Sequence, residues 1–454
     1  MASSRYLRAL GPVVLLAVGG AYAMASGNWC GEWLAGQPVV IASGRSVESV
    51  WRAGAARVEL QPPWPVVAAG YPPPRREVTQ SSPPLHARAV VLEAEGLRIG
   101  LVSLDLLSVS PEIVSAVRSG ADAAGLALNE LVVVATHTHS SFGGYDPRLV
   151  AQLAGTGRFR EESVHAASDG AVRALREAAS SMEGVKLEVS EGSLEGLVHP
   201  RSGEVADTRS LRLMLRALDR PVAELWVVNA HPTLEPRRAE HLSPDYPGRV
   251  EDPEAAILWP VIVLQGAAGN ARAVVPEGEG ESKSARFAAA LDDRMRALDL
   301  DGSKEESEPA AELADEPDPE APEELAVLAF ARVKVGLPRP DSSRLAPWFA
   351  RAAGDNLLCA SSEKTAELVA LQLGPVRLLA VPGEPTAAAG ASLESRAGAT
   401  RVLGLAGGYL GYIESADLVR ARTGEAKRQY FRPELIDSLA EAAETAASAL
   451  PANQ

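Results

Sequence analysis

Two histidine-bearing segments follow directly on apolar runs. Thr136-His137-Thr138-His139-Ser140 comes after Leu131–Ala135 and leads into Gly143-Gly144-Tyr145, and Ala230-His231-Pro232-Thr233 comes after Val222–Val228. A strand sends alternate side chains to one side, so His-x-His at a strand end can aim two imidazoles at one metal ion or substrate. Either segment alone also fits histidines that merely hydrogen-bond a loop; the second instance favours a shared site. Val381-Pro382-Gly383-Glu384-Pro385-Thr386 closes a third apolar run with a carboxylate, and Gly404–Tyr412 sets tyrosines among glycines. Four strand-end loops thus offer His, His, Glu and Tyr, nitrogen and oxygen donors that suit zinc. The glycines of the last loop have the wrong spacing for a dinucleotide loop. His86, His165, His199 and His241 are read as structural or as loop residues.

These loops need strands to hold them. Arg88–Ala94 and Ile99–Leu106 read as a strand pair turning at Glu95-Gly96, and Leu131–Ala135 as a buried strand. Lys186–Val189, Leu211–Leu215, Val222–Val228, Val261–Leu264, Ala331–Val335, Leu368–Leu373, Val376–Val381 and Arg401–Leu405 read as further strands. Helical patterns cover Ser110–Ala124, Glu162–Met182 and a closing stretch near Pro433–Leu450. The mixture predicts an α/β fold in which mixed β-sheets are flanked by helices and the site lies on strand-end loops.

The chain has 454 residues and a formal charge of −15. That acidic balance argues against nucleic acid as a partner, which needs clustered Lys and Arg. Arg5 and Arg8 precede an apolar stretch ending in small residues, the pattern of an export signal over residues 1–25; an uncleaved membrane anchor is the alternative. Either places the body of the protein in the periplasm, the cell envelope or outside the cell. Cys30 and Cys359 are the only cysteines, too few for a thiolate metal cluster, and are available to pair in an oxidising compartment. Asp301–Glu324 holds eleven acids against Lys304, with four prolines, and reads as a disordered insertion within a domain spanning residues 50–454.

The motifs resemble the catalytic N-terminal domain of the neutral/alkaline non-lysosomal ceramidases, zinc amidases that cut the N-acyl bond of ceramide. The resemblance is carried by Ala55-Ala56-Arg57-Val58-Glu59-Leu60, Ala69-Gly70-Tyr71, Ala87-Arg88-Ala89-Val90-Val91-Leu92 and Ser103-Leu104-Asp105. Ala135–Ser140 with its Gly143-Gly144-Tyr145, Ala230-His231-Pro232-Thr233 and Val381-Pro382-Gly383-Glu384 follow in the same order. It implies zinc ligands at His137, His231, Glu384 and Tyr412. His139 would sit beside the metal as a candidate proton donor, Arg201 would face the substrate, and Tyr430 would be the second active-site tyrosine. A backbone N–H near Gly70 would help to stabilise an oxyanion. The implied substrate is a lipid or other N-acyl amide, with a membrane surface as a possible partner.

Three departures from the family pattern stand out. Its Gly-Asp-Val-Ser-Pro loop is here Gly269-Asn270-Ala271-Arg272-Ala273, so no serine role carries over and Arg272 would bring a positive charge to the pocket edge. Tyr412 and Tyr430 are further apart than the family's two tyrosines, and the family's C-terminal β-sandwich domain is expected to be absent. An amidohydrolase barrel would need more histidines downstream, and Ser140-Ser141-Phe142 breaks a metallo-β-lactamase pattern. A non-catalytic envelope binding protein that keeps the fold is the main alternative to a hydrolase.

Overall fold

Leucine-rich and β-branched runs pair into two mixed sheets. The larger has the order Val261–Gln265, Pro221–Val228, Arg209–Arg216, Glu183–Ser193, Trp51–Glu59, His86–Ala94, Leu97–Leu104, Glu130–Ala135. Its interior pairs are antiparallel, whereas the pair at each edge is parallel. The smaller runs Val39–Glu48, Ala326–Gly336, Thr365–Leu373, Val376–Ala380, Arg401–Leu403, the last two parallel. The computed structural model describes residues 30–33, 36–48, 51–72, 77–203, 205–250, 259–298 and 326–451. Residues 1–25 and the acidic run Asp301–Glu324 lie outside them. Among the described residues no helix is long and apolar enough to cross a membrane.

The two sheets share one core. Val90, Leu213 and Ile262 of the larger pack with Leu328, Phe330 and Leu378 of the smaller. Helices Pro111–Ala123 and Glu161–Ser180 cover the outer face of the larger sheet, and Ala387–Ala397 and Leu435–Ser448 cover the smaller. Helix Lys283–Arg296 packs over Trp226 and Val263. The expected α/β arrangement of mixed sheets flanked by helices is therefore the observed one.

Local sequence explains where these elements start and which face they bury. Ser110 caps the helix Pro111–Ala123 by accepting from the Ile113 N–H, Pro111 needs no hydrogen-bond partner for its nitrogen, and Glu112 complements the helix dipole. Ile113, Val117 and Ala121, four apart, form its buried face. The folded body begins ahead of residue 50, because Val39–Glu48 pairs along its length with Ala326–Gly336. Cys30 and Cys359, 329 residues apart in sequence, form a disulfide that ties this N-terminal stretch to the helix Arg351–Ser361.

Candidate metal centre

Backbone bonds sew the ends of five strands together at one place. The Gly266 N–H donates to Val228 O (3.0 Å), Gly404 to Gln265 O (2.8 Å), Leu405 to Gly383 O (2.8 Å), and Ala135 to Leu405 O (3.2 Å). The loops leaving those ends carry His137 and His139, His231, Glu384, and the tyrosines of 404–412. His137 itself adopts φ +70°, a region that costs a non-glycine residue energy and that clusters at functional sites.

Each imidazole is held from behind by a carbonyl. His137 Nδ1 lies 2.6 Å from Leu107 O, His139 Nδ1 2.8 Å from Gly70 O, and His231 Nδ1 3.3 Å from Ala268 O. A carbonyl only accepts, so each Nδ1 carries its proton and each Nε2 is left with a lone pair pointing inward. The Nε2 atoms of His137 and His231 are 3.1 Å apart, and those of His137 and His139 3.4 Å. Glu384 Oε2 sits 3.2 Å from His137 Nε2 and 3.8 Å from His231 Nε2, yet neither ring is aligned to donate, and this buried oxygen makes no hydrogen bond.

Four electron-rich atoms therefore converge with nothing between them. One proton could satisfy one of these contacts; a divalent cation satisfies all four. Their separations bracket the edge of a tetrahedron, about 3.3–3.5 Å for metal bonds of about 2.0–2.1 Å. His137, His139 and His231 form a group able to hold a metal ion. The residues present fit a metal.

The electrostatics agree. Burial, then the neighbouring His137, pushes His139 down to about 3, and the same causes hold His231 well below the usual range, so both stay neutral and ligand-ready. Burial alone would raise Glu384. Against that, any positive charge on His137 or His231 and the hydrogen bond from the Tyr409 hydroxyl hold the carboxyl well below the usual range.

The remaining expected residues surround this cluster in different ways. The Tyr412 hydroxyl accepts from Arg201 Nη2 at 3.0 Å, and burial followed by the Glu384 carboxylate raises its phenol well above the usual value, so Tyr412 stands beside the carboxylate while His139 points Nε2 directly into the cluster. Arg201 also donates from Nη2 to Gly269 O (2.6 Å) and from Nε to Glu425 (3.2 Å), leaving Nη1 without a bond to any described residue. Tyr430 is half-buried against Gly411, and burial followed by Glu384 raises its phenol. Gly70 sits at φ +108°, and a Cβ there would lie 2.6 Å from His139 Cα. A backbone N–H near Gly70 was expected to serve an oxyanion; Gly70's own donates to Gly155 O at 3.1 Å, and its carbonyl orients His139. Arg272 is exposed, opposite His199 on the ribbon of Val198–Pro200 and Ala271–Ala273, with no hydrogen bond or ion pair to the cluster.

Two residues that sequence reasoning passed over matter here. Tyr409 donates its hydroxyl to Glu384 Oε1, fixing the carboxylate so that Oε2 faces the histidines. Asp245, fully buried at φ +56°, accepts from the N–H groups of Leu234 (2.8 Å), Glu235 (3.2 Å) and Tyr246 (2.6 Å). Beside it the Tyr246 hydroxyl donates to Ala230 O (2.5 Å), and the Ser243 carbonyl accepts from Thr138 Oγ1 (2.7 Å). The run 243–246 therefore clamps both histidine loops. Asp245→Ala is expected to cost about 2–4 kcal/mol of stability, because several buried N–H groups lose their acceptor. It should also weaken metal binding by about ten- to a hundredfold, the usual effect of loosening what orients a ligand. Metal titration of the purified variant checks this; unchanged affinity would remove the clamp from the metal's support.

Residues 62–206 match the family model of the neutral/alkaline non-lysosomal ceramidases, N-terminal domain. No curated protein sequence matches the chain. Among solved structures, neutral ceramidase from Pseudomonas aeruginosa is similar with a TM-score of 0.70 at 16% identity, over 89% of this chain and 75% of that one. A ceramidase complexed with C2 gives a TM-score of 0.71 at 16% identity, over 88% of this chain and 75% of the other. Identity that low speaks for fold alone. The matched segment contains Gly70, His137, His139 and Arg201, whereas His231, Arg272, Glu384, Tyr412 and Tyr430 lie beyond it. Sequence similarity to the neutral/alkaline non-lysosomal ceramidases thus covers residues 62–206, and similarity of fold to a neutral ceramidase covers 89% of the chain.

Proposed function

We propose that the protein is a zinc-dependent hydrolase that cleaves the N-acyl bond of ceramide or a related N-acyl lipid. The observation that carries this reading is the convergence of three carbonyl-anchored imidazoles on the unpaired Glu384 Oε2. His137, His231 and Glu384 would hold the ion together with His139 or, after a small shift, Tyr412. Bound there, zinc supplies Lewis acidity that polarises a carbonyl and acidifies water.

The chain's own groups have distinct tasks. Arg201 is tethered by Glu425 and Gly269 O and can turn its two Nη1 hydrogens to an amide oxygen as negative charge builds there. Tyr430, whose hydroxyl bonds no described residue, is a second donor for that oxygen or for the departing amine. His139 has its only proton committed to Gly70 O, so it serves as a lone-pair donor; the acid role expected from sequence falls to the phenols. The disulfide supports action outside the cytoplasm.

A panel running from long-chain ceramides to short N-acyl amines, assayed with zinc-loaded and chelated protein, tests the reading. Zinc-dependent release of fatty acid is the expected result. Stoichiometric zinc with no turnover of any N-acyl compound would leave the non-catalytic binding protein as the better account.

A further inference from the structure

An apolar crest stands beside the site. Trp348 and Phe349 are 79% and 73% exposed, and their rings meet edge to face with centroids 5.9 Å apart. Leu345, just before Trp348 in the chain, is a further large apolar side chain at 41% exposure. A soluble surface gains nothing by exposing a tryptophan and a phenylalanine side by side.

The crest is built onto the segment that carries Tyr430. The Asp341 N–H donates to Tyr430 O (2.9 Å), Pro340 bridges Phe431, and Arg344 donates to Ala426 O (3.2 Å) and Phe431 O (2.6 Å). Helix Arg351–Ser361 begins directly after Trp348-Phe349 and packs against Leu149–Ala151. Its far end, with Ser361 and Glu363, lines a small cavity together with Arg148, Val150, Tyr409 and Tyr430. One helix thus runs from the exposed aromatics to a cavity walled by two of the site's tyrosines.

Charge identifies what covers the crest. In a chain of net charge −15, residues 339–351 hold Arg339, Arg344 and Arg351 against the single Asp341. Asp341 is already paired with Arg344 at 2.9 Å, so the exposed charges flanking the aromatics are the two arginines Arg339 and Arg351. Aromatic side chains at the level of lipid headgroups, with arginines beside them, are how proteins seat on anionic bilayers.

We infer that the crest Leu345, Trp348 and Phe349 docks on an anionic lipid surface, at the start of the helix whose far end reaches the Tyr409–Tyr430 cavity. The inference extends the N-acyl-lipid reading, since a lipid substrate would enter from that surface.

The test uses the full chain with phosphatidylcholine vesicles, with and without phosphatidylglycerol, and the double variant Trp348→Ala/Phe349→Ala. The parent should sediment with the anionic vesicles, and the variant about ten- to a hundredfold more weakly, as expected for losing two inserted aromatic rings. Melting temperature, zinc content and turnover of a water-soluble short N-acyl amide should not change, while turnover of a vesicle-embedded N-acyl lipid falls. A parent that does not bind, or a variant that binds equally well, overturns the docking surface. So does a dimer of the parent that the substitutions dissociate, since a second copy would then be what covers the crest. Vesicle binding with no turnover of either substrate keeps the docking surface and removes the N-acyl hydrolase reading.

Discussion

Replacing Glu384 with alanine is expected to lower zinc affinity by more than about a hundredfold and to abolish N-acyl hydrolysis. The reason lies in the charge of the site. Imidazoles bound through Nε2 supply lone pairs but no charge, and Glu384 is the carboxylate whose free Oε2 faces the Nε2 atoms of His137 and His231. Glu384→Gln separates charge from shape. Its amide oxygen can still accept from Tyr409, so the loop should hold, but the anionic donor is gone and zinc should bind weakly. His231→Ala should behave like Glu384→Ala, because it removes the imidazole 3.1 Å from His137 Nε2. Elemental analysis after dialysis, with a melting curve to confirm folding, gives the answer. Stoichiometric zinc in folded Glu384→Ala or His231→Ala protein would mean that the cluster is not the metal site.

How much of this site is legible in sequence depends on how local each signal is. His137 and His231 were readable because a histidine just past a buried apolar strand has its position fixed by the strand itself. Glu384 was readable for the same reason, bracketed by turn residues after Val376–Ala380. The tyrosines were harder. Leu405, Gly407, Gly408 and Gly411 all have positive φ, so no helical or strand period says which way Tyr409 or Tyr412 points. Tyr409 therefore escaped notice although its hydroxyl holds Glu384. Asp245 escaped because its partners lie about ten residues upstream, across a turn rich in proline. Gly70 was found for its motif, but its carbonyl's hold on His139 was not readable, since nothing in the local sequence says which backbone groups are already bonded, as the Gly70 N–H is to Gly155.

The fold shows the same division. Strands with leucine and β-branched runs were located to within a few residues, because burial on both faces demands such runs. Helix Ala387–Ala397 was not, as its buried face is made of Ala389, Gly390, Leu393 and Ala397, which leave little hydrophobic contrast to detect. Strand Val39–Glu48 was missed because Val39, Ile41 and Ser43 alike face solvent at the edge of the smaller sheet, hiding the alternation.

Acidification from pH 6.5 towards pH 3 is expected to destabilise the protein and, as it unfolds, to empty the metal site. His139 titrates at about 3 in the folded chain, and His231 well below the usual value, so the unfolded chain binds more protons throughout that window. The stability these two groups contribute is present in full above pH 6.5 and is lost as the pH falls. His139 alone accounts for roughly 3–5 kcal/mol across the window. Asp245 works the other way. Burial raises its carboxyl to about 6, so the folded chain holds that proton longer, and between pH 6 and the ordinary aspartate range it restores about 3 kcal/mol on acidification. Two histidines against one aspartate leave a net loss, steepest where Asp245 gives no help, from pH 6.5 to 6 and again below about 4. Zinc opposes this loss, since a bound ion holds the folded state and the depressed imidazoles give protons little hold on their Nε2 atoms until the pH nears 3, so bound metal should leave as the chain unfolds. Melting temperature against pH, measured with and without zinc, shows both effects, and His139→Gln should flatten the metal-free curve. A metal-free protein whose melting temperature holds steady from pH 6.5 to 4 would show that these imidazoles take up protons in the folded state. They would then not be the neutral, inward-facing ligands that the site requires.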